Sequence, residues 1–74
     1  MDLRQIEYII QIADECCITK AAEKMFISQS GMNQQLLKME TELGTPLFHR
    51  CKNPLRLTEA GKVYVDYGRQ ILHF

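Results

Sequence analysis

Residues 18–44 read ITKAAEKMFISQSGMNQQLLKMETELG, and the fold is decided there. Thr19 and Ser28 are both hydroxyl residues placed to accept a hydrogen bond from the free N–H groups of a first helical turn. After Thr19, Ala21, Ala22 and Met25 supply a buried face, with Lys20, Glu23 and Lys24 outside it. The spacing predicts a helix of about two turns ending near Phe26. Its paired alanines let another helix approach closely. Only Phe26 and Ile27 then intervene before Ser28 opens a third helix, in which Met32, Leu36, Met39 and Leu43 step by 4-3-4 and share one stripe. Gly44 is a natural left-handed stop, and Pro46 prevents continuation. Gly31 is a weak point in the first turn, costing about 0.8–1.0 kcal/mol relative to alanine.

Working outward, Leu3, Ile6, Ile10, Ala13 and Cys17 recur at three- and four-residue steps, which predicts a first helix over roughly 2–16 with Asp2 as its N-cap. Ile9 and Ile12 widen that stripe, so the helix should meet more than one neighbour. Downstream, 47–50 and 55–57 are short extended runs separated by Cys51, Lys52, Asn53 and Pro54, a β-hairpin pattern with a turn at Asn-Pro. Thr58 then caps a last helix running to the end of the sequence. Along it Leu57, Ala60, Tyr64, Tyr67, Ile71 and Phe74 step by 3-4-3-4-3, a heptad-like seam that breaks off inside its pattern. The pattern reads as a helix that continues in a longer parent. The order is helix, helix, helix, hairpin, helix, the layout of a mainly α winged helix-turn-helix followed by one more helix.

Seventy-four residues allow one domain, and 46% hydrophobic with 24% charged residues makes it globular rather than disordered. No apolar run approaches the length of a membrane span, and Met1-Asp2-Leu3-Arg4 is no signal-peptide start, so no membrane partner and a cytoplasmic location are expected. Cys16, Cys17 and Cys51 make no disulfide framework and are read as reduced, small apolar fillers. A redox or metal sensor using them with His49 would lack any Cys-x-x-Cys or His-x-x-His spacing. His49 and His73 stand far apart, and no phosphate loop or nucleophile elbow occurs, so neither an enzyme nor a cofactor is expected.

Net charge is zero, but its distribution is uneven. Residues 1–17 set Arg4 against Asp2, Glu7, Asp14 and Glu15, while residues 18–58 set Lys20, Lys24, Lys38, Arg50, Lys52 and Arg56 against Glu23, Glu40 and Glu42. The third helix suits a major groove. Its non-core face carries Gln29, Ser30, Asn33, Gln34 and Lys38, and no acid occurs between Lys24 and Glu40. Amide side chains donate and accept at base edges, and the helix N-terminus suits a phosphate. Leu37 sits on the same outward side, where it is either exposed or meets a thymine methyl or another subunit. The hairpin offers His49, Arg50 and Lys52, with Arg56 on its second strand, for phosphates or a minor groove; the alternative is charge decoration of a sheet edge.

The chain resembles the N-terminal DNA-binding domain of LysR-type transcriptional regulators. The resemblance rests on Leu3-Arg4-Gln5-Ile6-x-Tyr8, Thr19-Lys20-Ala21-Ala22-Glu23-Lys24, Ser28-Gln29-Ser30, Gln35-Leu36, Glu40-x-Glu42-Leu43-Gly44-x-Pro46-Leu47-Phe48-x-Arg50 and Leu57-Thr58-x-Ala60-Gly61. It implies a winged helix-turn-helix over 1–58, with the helix-turn-helix near 18–37 and the wing near 47–57, and the start of a dimerising linker helix over 59–74. It also implies a homodimer on double-stranded DNA carrying an imperfect dyad with AT-rich ends, and a small-molecule effector domain only in a longer parent. Gln29 matches the family's base-contacting glutamine, Ser28 its capping and phosphate-contacting position, and Arg50 its wing arginine. Asn33, Gln34 and Asn53 depart from the family's usual serine, arginine and basic residue, and Cys16-Cys17 replaces a small polar pair.

These strands combine into one expectation. Gln29, Ser30, Asn33 and Gln34 contact bases, and Ser28, Lys38, Arg50 and Lys52 contact phosphates or the minor groove. Tyr64, Tyr67, Ile71 and Phe74, with no obvious partner inside so short a chain, pack against a second copy. The alternative from another class is a winged-helix interaction or dimerisation module without a DNA target, which zero net charge would suit.

Overall fold

The computed structural model describes residues 2–50 and 54–73. The first helix, α1, is Leu3–Glu15. Asp2 and Gln5 cap it reciprocally: the Gln5 N–H donates to Asp2 Oδ1 (2.9 Å) and the Asp2 N–H to Gln5 Oε1 (3.1 Å). The helix touches all three other helices, so its buried face is broad. Ile9 and Ile12 are its most buried residues, whereas Leu3, expected on the core stripe, is exposed. Cys16 ends α1 in the left-handed conformation, its N–H donating to the Ile12 carbonyl at 2.8 Å.

That stop moves the next start. The second helix, α2, is Ile18–Lys24, and its N-cap is the extended Cys17, which caps with no side-chain hydrogen bond. Thr19, expected to be the cap, lies inside the first turn, because the chain has already re-entered the helical conformation where the Ala21 N–H reaches the Cys17 carbonyl (3.1 Å). Past the end of α2 the Phe26 N–H donates to the Glu23 carbonyl and the Ile27 N–H to the Ala22 carbonyl, with Phe26 at φ 59°. This is a Schellman turn built on a phenylalanine instead of the usual glycine.

The third helix, α3, is Gln29–Leu43, capped by Ser28 Oγ accepting from the Gly31 N–H at 2.9 Å. Met32, Leu36 and Met39 form the centre of the core. Leu43, expected to extend that stripe, is 41% exposed: it is the last helical residue, and Gly44 at φ 74° turns the chain away there. Strands β1 (Phe48–His49) and β2 (Arg56–Leu57) pair antiparallel, Phe48 opposite Leu57 and His49 opposite Arg56. The Thr58 N–H on the Leu47 carbonyl (3.0 Å) closes the base of this short hairpin, and the Leu55 N–H on the Cys16 carbonyl (3.1 Å) fastens the start of its second strand to the α1–α2 joint.

The fourth helix, α4, is Glu59–Leu72. Thr58 Oγ1 caps the Gly61 N–H (3.0 Å) and donates to the Pro46 carbonyl (2.7 Å). The buried line of α4 is Gly61, Val65 and Gly68. A Cβ at Gly61 would stand 2.0 Å from the Leu47 carbonyl oxygen, and one at Gly68 3.0 Å from Ile6 Cγ2, so these glycines let α4 close on its neighbours. That closure corrects one expectation about the seam. Tyr64 does have an internal partner: it is half-buried and packs on the core together with Ala60 and Leu57. Tyr67 and Ile71, further round and further along the helix, remain 62% and 44% exposed.

Candidate nucleic-acid interface

The first turns of α3 stand at the surface. Ser28, Gln29, Ser30, Gln34 and Lys38 are exposed and Asn33 is half-buried. Gln29, Ser30 and Asn33 line an open cleft against Ile18 at the start of α2. Ser28 Oγ stands 3.3 Å from Ser30 Oγ as well as capping the helix. Hence Ser28, Gln29, Ser30, Asn33 and Gln34, five of the expected base- or phosphate-facing side chains, share one end of one helix.

Arg50 lies at the end of β1 but is committed to α3. Its Nη1 donates to Asn33 Oδ1 and its Nη2 to Glu40 Oε1, both at 2.9 Å. Glu40 is nearly buried, and its second oxygen, Oε2, accepts the Leu47 N–H at 2.7 Å. One carboxylate thereby ties α3 to the entry of the hairpin and compensates the arginine's charge. Helical periodicity could not have found this link, because its members lie 7, 10 and 17 residues apart. Its only trace in the sequence is that Glu40 and Arg50 both belong to the motif quoted above.

The other charges divide between pairs and open positions. Lys24 pairs with Glu15 at 3.1 Å across the α1–α2 corner, and Arg69 pairs with Asp14 where α4 crosses α1. The Asp14 hydrogen bond raises the Arg69 pKa, so its charge is fixed. Lys38 has no ion-pair partner among the described residues. His49 and Arg56 are exposed on the strands. Cys51, Lys52 and Phe74 lie outside the described residues. Leu37 is exposed beside an open hollow lined by Glu40, Thr41, Gly44 and Pro46.

Cys16 and Cys17 are half-buried, and the Cys16 thiol donates to the Ala13 carbonyl at 3.4 Å. They serve as the joint between α1 and α2. No cluster of metal-ligating side chains occurs among the described residues, and no helix is long and apolar enough to cross a membrane. Burial raises the Tyr64 pKa, with smaller contributions from the Asp2 and Glu42 carboxylates.

Comparison with known proteins gives the same picture. The family model described as "Bacterial regulatory helix-turn-helix protein, lysR family" matches residues 3–62. The chain is 40% identical over 72 residues to the HTH-type transcriptional regulator BudR of Klebsiella aerogenes, covering 97% of this chain and 50% of that protein. It is 43% identical over 74 residues to the HTH-type transcriptional regulator BsdA of Bacillus subtilis (strain 168), covering 99% of this chain and 26% of that protein. The chain thus spans half the length of one curated relative and about a quarter of the other. Among solved structures, the BenM DNA-binding domain bound to catB site 1 DNA superposes with a TM-score of 0.95 at 33% identity, over 97% of this chain and 77% of that one. The CbnR DNA-binding domain in complex with DNA gives a TM-score of 0.91 at 32% identity, over 97% and 83%.

Proposed function

Because the chain belongs to the lysR family of bacterial regulatory helix-turn-helix proteins, we propose that it is the part of a transcriptional regulator that reads double-stranded DNA. The observation that carries this function is the N-terminal end of α3: exposed, free of acids, lined with amides and hydroxyls, and held clear of the core. An α-helix of that kind fits a major groove, where amides and hydroxyls find donors and acceptors on every base pair. Gln29, Ser30, Asn33 and Gln34 face base edges. Ser28 and Lys38 contact phosphates, and the hairpin brings Arg50 and Lys52 to the phosphates or minor groove beside them. The DNA complexes of the BenM and CbnR domains, with nearly the same backbone, support this docking.

The domain works as a homodimer. One copy reads a single half-site of about one helical turn or less, and two copies on a dyad with AT-rich ends double the contacts and add spacing as a criterion. The exposed Tyr67 and Ile71, with Tyr64 beside them and Phe74 beyond, form the surface that packs against the second copy. Residues 1–58 are the reading unit and 59–74 begin the dimerising helix, although the first half of that helix also contributes Val65 to the core. A longer parent carries the small-molecule effector domain, works in the cytoplasm, and catalyses no reaction.

Selection of bound duplexes from a randomised DNA library tests the whole. An enriched motif with two related halves, and an affinity that falls steeply with salt, is the expected outcome. No enrichment, with salt-independent binding, would leave a protein-interaction module instead.

A further inference from the structure

Asn33 is half-buried at the edge of the reading face, and its amide is not free to turn. Arg50 carries only donors, so the atom it meets must be the asparagine oxygen, and the NH2 group must point the other way. Arg50 is itself held by Glu40 at 2.9 Å, and Glu40 is anchored by the Leu47 N–H at 2.7 Å. The chain of bonds runs from a main-chain N–H through a nearly buried carboxylate and a guanidinium to the amide.

We propose that Glu40, acting through Arg50, is a specificity-determining residue that locks Asn33 as a donor-only reader, so that this position selects guanine and not adenine. A free asparagine pairs adenine at two points, its oxygen accepting from N6 and its NH2 donating to N7. The oxygen keeps a second lone pair, but Arg50 turns it toward the hairpin, so the NH2 is the group presented to the groove. Guanine offers two adjacent acceptors there, N7 and O6, whereas adenine pairs its N7 with a donor that would meet no acceptor. Glu40 touches no DNA in this arrangement and is a positioning residue. The proposal rests on the placement of α3 in the major groove.

The Glu40→Gln variant separates positioning from folding. A glutamine oxygen can still accept the Leu47 N–H, but its NH2 then faces Arg50 donor to donor, and the grip on Asn33 is lost. Duplexes selected from a randomised library by the native chain should contain a guanine column in each half-site that disappears with Asn33→Ala. Glu40→Gln should turn that same column toward adenine by about tenfold, and should do nothing to it in an Asn33→Ala background. Arg50→Lys, which keeps the charge without the planar fork needed to hold two partners, should move the column in the same direction and stands in if Glu40→Gln does not fold. A native motif whose Asn33-dependent column is already adenine, or one that neither variant moves, overturns the inference while leaving DNA reading intact. No motif from the native chain overturns both.

Discussion

The surface around Asn33 and the surface around Tyr67 are built in opposite ways. At Asn33, hydrogen bonds set the direction of polar groups: Arg50, itself held by Glu40, fixes the half-buried Asn33 amide, and the Gly31 N–H fixes the Ser28 hydroxyl. At Tyr67 and Ile71, apolar side chains are exposed and untied, and the order beneath them comes from Gly68, which lets α4 lie close against Ile6 and Ile10 of α1. Hydrogen bonds fix direction, which a base-reading surface needs. Close packing fixes only distance, which suffices for a surface that a second copy is to cover. Six substitutions break or sharpen this contrast.

The largest effect should fall where the same helix begins. Gly61→Ala drives a Cβ to within 2.0 Å of a backbone carbonyl oxygen that also holds the Thr58 N–H, so neither atom can yield cheaply. A loss of about 3 kcal/mol or more is expected, against a total on the order of 4–11 kcal/mol for a domain of this size. Thermal unfolding should show it as a collapse of the transition. Gly68→Ala meets side-chain atoms alone, Ile6 Cγ2 at 3.0 Å and Ile10 Cδ1 at 3.2 Å, which need give only a few tenths of an ångström, and alanine gains about 0.8–1.0 kcal/mol of helix propensity, so its midpoint should barely move. Equal losses at both sites would mean that α4 is held by something other than close approach.

Next comes Ile71→Glu, which charges the untied surface without touching the core. Circular dichroism should show the fold kept. Affinity for a dyad site should fall by about 10²-fold, the advantage of linking two half-sites, with affinity for an isolated half-site unchanged. A protein that sediments as a monomer at high concentration, with dyad affinity indifferent to the substitution, would refute this use of the surface. Gln29→Ala on the reading face should cost about 1–3 kcal/mol on the selected site and relax choice at one base pair. Equal loss on random DNA would assign Gln29 to the backbone. The smallest effect is electrostatic. Lys38→Ala should lower the slope of log affinity against log salt by about one. Arg50→Ala should lower it by less, because Glu40 already meets that charge. Equal slopes would mean that Arg50 leaves Glu40 for a phosphate on binding.

The elements were largely legible in the sequence because their ends carry local chemistry. Asp2, Ser28, Thr58 and Gly44 mark helix ends through their own side chains or lack of one, and all four act as the sequence suggests. Thr19 misled because a hydroxyl is a good cap only where the chain turns, and the left-handed Cys16 had already turned it. On α4 the aromatic seam drew attention from the glycines, since large side chains advertise burial and absent ones do not. The Glu40–Arg50–Asn33 link was hidden for a different reason: it joins residues that only the packed hairpin brings together. The reading face was legible as a set of residues, but the direction of its amides was not.

One further consequence lies in time. The close approach of Ile6 to Gly68 joins the first helix to the last, and Asp14 meets Arg69 55 residues away. A ribosome adding about 5–20 residues per second therefore releases α1 on the order of several seconds before the surface that covers it exists. For that interval Ile6, Ile9 and Ile10 are exposed on a nascent chain, within reach of chaperones and of neighbouring nascent chains. Distant contacts of this kind also slow folding once synthesis is done, so the two ends of the domain should become protected from hydrogen exchange together, and late.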